Sequence, residues 1–498
     1  MLPLRSRCHD VGVSDVRLRE IVGELAWAVI DPSPARRASV EDRLLGLRGD
    51  EWLRLDDLSR RYSLYANSPL ALITAWPLTD RLENGVLAVA ASMSRDGRVR
   101  QRALGWLAGR RGPWVAAAVA VRVGDWVPQV TAAAVTLLPG FDDASDTAAV
   151  AAVMLRLRER RRARAAAEAY LAGLGRGPQQ RLLELTRIGE RAVRIWALEA
   201  AVTRGVLSPE ALTERARTDC DPVVALWCAR QVLADTSVPT RLAGSLLDSR
   251  RTGVRAHALS VVPDELLDRD RLSHLLLDTS GAVRTVARWR WTRRWGSPAT
   301  IYQEALASTA PVRPRRIAGA LAGLAETDPT AAATAADRLL DHPAACVRAV
   351  ATQIVGRRIA QGHGTVEPLV ARLADPSRKV ARLSLNHLRE RAGEVPADVL
   401  AEWESADSAQ ARRTALLLRQ RLSRWERVRS DLKAMHDPDP DLAELARTDL
   451  LAWLQHDAGT TYGRPTDHQA QDLFRYLNSP RLTDRQRREI LFVAGLPS

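Results

Sequence analysis

A small residue returns at near-constant intervals along most of this chain, and that regularity limits the fold more than any other feature. The positions are Ala103, Ala134, Ala165, Ala197, Cys228, Ala258, Ala287, Ala318, Ala351, Ser384, Ala415 and Ala446. Successive gaps are 31, 31, 32, 31, 30, 29, 31, 33, 33, 31 and 31 residues. Four residues before the small one stands an apolar residue, usually valine: Val99, Val130, Val193, Val224, Val254, Val283, Val347 or Val380. Another apolar residue follows about four positions later, as at Leu107, Leu138, Val232, Val262, Trp291 and Val355. Positions i, i+4 and i+8 lie on one helix face, so the small residue marks where a neighbouring helix comes close and the larger ones fill the sides. Turn and cap signals precede each unit: "SRDG", "DCDP", "LDTSG", "LDHPA", "LADPS" and "HDPDP". Shorter apolar segments such as "TRLAGSLLD" and "RLSHLLLD" come before those turns. The unit predicted is a short helix, an Asp/Pro turn, a longer helix and a loop.

The segments "GRVRQRALGWL", "RAVRIWALEAA", "TGVRAHALSVV", "GAVRTVARWRW" and "ACVRAVATQIV" share Val-Arg-x-x-Ala. The fuller pattern D-x-x-V-R-x-x-A, in a two-helix unit of about 31 residues, resembles HEAT repeats, especially the short bacterial HEAT-like type. The resemblance runs from about Ser14 to Asp457 and is clean from Arg95 to Gln455, with weaker repeats continuing the spacing back through Ser39 and Ala71. It implies an all-α fold: a right-handed α-solenoid of about 12–14 helical hairpins. Two units depart from the pattern. Arg161 and Pro314 fill the valine column, so the helix there is expected to kink or start late. The expected organisation is degenerate N-terminal repeats over 1–90, the array over 91–457 and a helical cap over 458–498. "TDRQ", Thr483–Gln486, is a capping-box pattern and opens an amphipathic helix in that cap.

The formal charge is +14, with lysine only at Lys379 and Lys433. Spread over 498 residues, this permits a polyanionic partner without requiring one. The four cysteines form no CxxC pair and no His/Cys group has metal-ligand spacing, so reduced, partly buried thiols and no metal are expected. No signal-peptide core precedes the repeats, and the longest uncharged apolar stretch, "GPWVAAAVAV", is too short to span a bilayer. A cytoplasmic protein without a membrane partner is the expectation.

Arg100, Arg162, Arg194, Arg255, Arg284, Arg315, Arg348 and Arg412 share one column. The resemblance implies a ladder between these arginines and turn carboxylates such as Asp96, Glu190, Asp221, Asp278, Asp341 and Asp407, in preference to a ligand-binding stripe. The cluster "MLRLRERRRARA", Met154–Ala165, reads as a solvated helix. Trp106, Trp196, Trp227 and Trp291 fall on or beside buried columns and read as core fillers. His257 and His387 lie on repeat helices and read as packed or surface side chains.

One stretch stands out. "DTSGAVRTVARWRWTRRWG", Asp278–Gly296, holds five arginines and three tryptophans. Arg284, Ala287 and Trp291 belong to the repeat. Arg288 and Trp289 do not: the column after the small residue is mostly leucine elsewhere, and the next is mostly polar. In HEAT-like proteins the longer helix commonly lines the concave face, so Trp289 with Arg288 and Arg293 is the candidate contact point. Arg316, Arg382, Arg389 and Arg413 extend the candidate surface. The chain contains no GxGxxG after a strand, Walker loop, GxSxG or HExxH. These residues point to a non-enzymatic scaffold that binds a protein partner and needs no cofactor. A nucleic-acid-binding solenoid is the second reading. A HEAT-like DNA glycosylase, with Trp289, Trp291, Trp295 and Asp278 about an extruded base, is the third.

Overall fold

A computed structural model describes residues 7–31, 33–62, 85–235, 238–308 and 313–497, with side chains from Val16 onward, Tyr62 excepted. The protein is all-α; among the described residues there is no strand. None of the described helices is long and apolar enough to cross a membrane. Two compact units divide the chain, Met1–Val262 and Pro263–Ser498, and the division falls inside the expected 91–457 array.

Within each unit, consecutive helices pair as hairpins. In the first, Gly85–Ser92 packs on Gly97–Leu107 and Pro209–Thr218 on Pro222–Ala234, while Pro113–Val121 packs chiefly on Ala144–Leu157, skipping the intervening Pro128–Leu137. In the second, Arg269–Leu276 packs on Gly281–Trp295, and Pro329–Leu339 on Ala345–Ala360. The helix Pro113–Val121, cut from the longest apolar stretch, is buried from Val115 through Val121. A helix apolar all round belongs in a core, and this one is enclosed by its neighbours.

The small column lies at these contacts. Ala103, Ala134, Ala197, Cys228, Ala258, Ala287, Ala351, Ala415 and Ala446 have no exposed surface, Ser384 has none, and Ala318 keeps 3%. Ala165 is a correction, because it is exposed. The basic cluster before it is not one helix: Ala144–Leu157 ends, a turn carries Arg160–Arg162 into solvent, and Arg164–Arg176 begins. The small residue facing the core is therefore Ala167, fully buried and flanked by Ala163 and Leu171. Arg162 lies in the turn, and Arg164 takes its column position. Ser39 is likewise exposed, while its neighbour Val40 is buried; Ala71 lies outside the described residues. At the other departure the helix starts late, with Pro314 as the first residue of Pro314–Thr327.

The turns follow a single chemistry. Asp125, Asp219, Asp278, Asp375 and Asp437 each stand nine residues before the small column. Each accepts the backbone N–H two residues on, at 2.8–3.0 Å. These Asx-turns end one helix and aim the next. At the C-terminus both capping boxes form, Thr466 with Gln469 and Thr483 with Gln486. Of the cysteines, Cys228 is buried, Cys346 half-buried and Cys220 exposed. Burial pushes the Cys228 thiol up to about 12, which makes it inert at neutral pH.

Candidate binding surface

The column arginines sit three residues before the small residue, and most are held by a turn carbonyl, a carboxylate or both. Arg100, Arg164, Arg255, Arg284, Arg348 and Arg412 each donate to the carbonyl six residues upstream, in their own turn. Four of the column arginines also reach the aspartate that builds the following turn. Arg348 meets Asp375 at 2.8 Å through both Nε and Nη2, and Arg412 meets Asp437 at 2.7 and 2.8 Å. Arg100 meets Asp125 at 2.7 Å twice, with both side chains fully buried. Arg194 reaches Asp219 and Asp221 at 3.3 and 3.2 Å. Arg412's hydrogen bonds hold the Asp437 carboxyl below its ordinary range, and Arg348 does the same to Asp375. The guanidinium fork suits this task, because two donors match one carboxylate and the remaining nitrogen caps carbonyls. Of the carboxylates expected as partners, Asp221 receives Arg194, whereas Asp96 caps Gly97–Leu107 and Asp341 pairs with Arg372 at 2.8 Å. Arg315 is exposed.

The helix Gly281–Trp295 spends most of its charge internally. Arg284 and Arg288 both pair with Glu326 of Pro314–Thr327. Arg290 and Arg294 share Asp264, at 2.8 and 2.5 Å. Burial opposes the Arg288 charge, but Glu326 outweighs it and the pKa rises. Arg288 thus stands inward, against buried Tyr302, whose hydroxyl is pushed up by burial. The close approach that permits this contact comes from glycine: a Cβ on Gly323 would lie 2.4 Å from the Tyr302 ring.

Trp289 faces the other way. It is 56% exposed, and the Arg293 guanidinium carbon stands 4.8 Å from its ring centroid. The corresponding position is exposed on other helices of both units, at Gly105, Thr136, Glu199, Ser260, Asn386 and Thr448. Ala320 is buried and Gln353 half-buried at the same column. Trp291, two residues on, is 2% exposed and packs on Trp295 with centroids 4.7 Å apart. Trp106, Trp196 and Trp227 are half-buried.

The structure places Arg288, Trp289 and Arg293 on one helix. Arg316 lies on the adjoining Pro314–Thr327 helix, half-buried, with Nη2 at 3.3 Å from His274 Nδ1. Arg382 and Arg413 are exposed on later hairpins, and Arg389 is half-buried just past Arg378–Leu388. His257 and His387 are half-buried, and burial lowers the pKa of both. Two residues that define the patch carry no signal in the repeat pattern, Glu326 and Asp264. Glu326 lies 42 residues from Arg284 and outside the turn column, so only the packing reveals it. No protein-family model matches this chain, and no curated protein matches it either.

Proposed function

We propose that the chain is a HEAT-like helical-repeat protein that works as a scaffold, binding a protein partner on the exposed face of its longer helices. The observation that carries this reading is the Trp289–Arg293 pair: a large ring more than half exposed, with a guanidinium stacked on it, at a column that is mostly polar elsewhere. Such an aromatic and arginine pair is the composition that concentrates binding energy at protein interfaces. Its neighbours are held in place by ion pairs to Glu326 and Asp264, so the pair stands on a fixed helix and little order is lost on binding.

A nucleic-acid partner is the second reading, favoured by exposed Arg382 and Arg413. The repeated arginines weigh against it, because most are latched to turn carbonyls and carboxylates and leave little free charge to follow a phosphate backbone. The deciding experiment is affinity capture with the intact chain and its Trp289→Ala variant, each with and without nuclease. A protein scaffold keeps its partner after nuclease and loses it on Trp289→Ala, with helicity unchanged. Capture that survives the substitution, or vanishes on nuclease treatment, contradicts the reading.

A further inference from the structure

Three connections in the first unit, around residues 93–97, 122–127 and 158–163, lie side by side. A Cβ on Gly97 would stand 3.0 Å from Val127 Cγ2, and one on Gly124 would stand 2.8 Å from Leu157 Cδ2 and 3.7 Å from the Ala163 Cβ. Trp126 sits on the middle connection and is 53% exposed. The Arg60 and Arg100 guanidinium carbons lie 4.3 and 4.4 Å from its ring centroid. Both arginines pair with Asp125, at 3.6 and 2.7 Å, and the Arg100 side chain has no exposed surface. The ring therefore roofs a buried charge cluster and turns its exposed surface to solvent.

The two outer connections are rich in arginine. Arg95 and Arg98 are exposed on one, and Arg160, Arg161 and Arg162 on the other. Arg160 stands 3.9 Å from Asp57, and the side chains of the other four have no hydrogen-bond or ion-pair partner among the described residues. These five differ from the latched arginines of the repeat column, whose charge is spent on turn carbonyls and carboxylates. Asp96 is occupied as a helix cap, which leaves exposed Glu159 as the carboxylate opposing them on these connections.

Arginine forks fit phosphate and carboxylate oxygens alike, and the tryptophan separates the candidates. Trp126 is the one large hydrophobic side chain exposed on these three connections, so they hold no apolar set to insert into a bilayer. A flat ring between two cationic turns suits an unpaired base, because every base has a face to stack. We propose that this edge of the first unit binds single-stranded nucleic acid, with a base stacked on Trp126 and phosphates on the arginines to either side. The inference goes beyond the scaffold reading, since Trp289 belongs to the second unit.

Fluorescence anisotropy of a labelled oligothymidylate of about 20 nucleotides, titrated with the intact chain, tests this. Saturable binding is expected, falling linearly in log salt with a slope of about −0.7 for each phosphate contacted. The double substitution Arg161→Ser, Arg162→Ser, in a solvent-exposed turn, should make that slope shallower by about 1.4. Trp126→Ala should weaken binding about tenfold with helicity retained, Trp126→Phe should keep most of it, and Trp289→Ala should leave it unchanged. Absence of saturable binding at low salt overturns the proposal, as does an unchanged slope in the double variant. So does competition by a duplex of the same length, by poly-L-glutamate or by vesicles containing phosphatidylserine that matches competition by unlabelled oligothymidylate.

Discussion

Arg348 and Asp375 join two consecutive hairpins through a bidentate pair at 2.8 Å, while the same guanidinium caps the carbonyls of His342 and Pro343 at 2.9 and 2.8 Å. Asp375 in turn accepts the Ser377 N–H at 2.8 Å, so one carboxylate both shapes a turn and receives the preceding hairpin. Removing one member of such a pair strands the other. Arg348→Ala should therefore cost about 3–5 kcal/mol, near the range for breaking a buried pair. Denaturant titration of the variant measures it, and a loss within about 0.5 kcal/mol would show the latch to be incidental.

The same latches set an acid limb. Asp375 and Asp437 have lowered pKa values because of Arg348 and Arg412. Their stabilisation is present above the unfolded carboxylate range, near 4, and is lost as pH falls through the lower folded values. Wild-type stability should drop over that interval, and Asp437→Asn should show a shallower drop. Parallel curves for the two proteins would remove the latch from the acid response.

Asp431 acts with the opposite sign. It has no exposed surface, Gln420 donates to its Oδ1 at 2.6 Å, and burial, with Asp449 nearby, pushes its pKa up to about 9. Between about pH 4 and 9 the folded chain keeps a proton that the unfolded chain releases, so stability falls as pH rises, by at most about 1.4 kcal/mol per unit. Asp431→Asn removes this slope. Its advantage over wild type should grow from pH 5 to pH 8, measured by denaturant midpoints. A constant difference would mean that Asp431 is ionised in the fold.

Close helix approach can be tested at two glycines. A Cβ on Gly319 would lie 2.0 Å from the Leu277 carbonyl oxygen, whereas one on Gly105 meets nothing within 4 Å. Gly319→Ala should destabilise by about 1–3 kcal/mol through overpacking. Gly105→Ala, at an exposed helix position, should stabilise by about 0.5–1 kcal/mol. Thermal melts of both variants decide the point, and matching signs would contradict the packing described.

The sequence carried the repeat spacing because close helix contacts tolerate little beyond a methyl group, and that demand recurs in every unit. It misplaced Ala165 because the arginine-rich run before it looked helical; a turn through Arg160–Arg162 resets the register so that Ala167 faces inward. The ladder was legible as a column, and one expected acceptor, Asp221, does receive Arg194; most of the other acceptors were not legible. An arginine's partner is the aspartate 25–27 residues ahead, in the next turn, at Asp125, Asp219, Asp375 and Asp437. Trp289 was legible as an aromatic in a polar column. Glu326 and Asp264, which turn most of its neighbouring arginines inward, depend on tertiary packing and leave no local pattern.

The register claim itself is tested most directly where two alanines compete for it. Ala167→Leu and Ala165→Leu differ by two positions on the same helix, Arg164–Arg176, one side chain buried and the other exposed. Measured by thermal and denaturant unfolding, Ala167→Leu should lose about 1–3 kcal/mol, and Ala165→Leu should stay within about 0.5 kcal/mol of wild type. Equal stabilities, or the larger loss at Ala165, would contradict the account that small residues set the spacing of these hairpins.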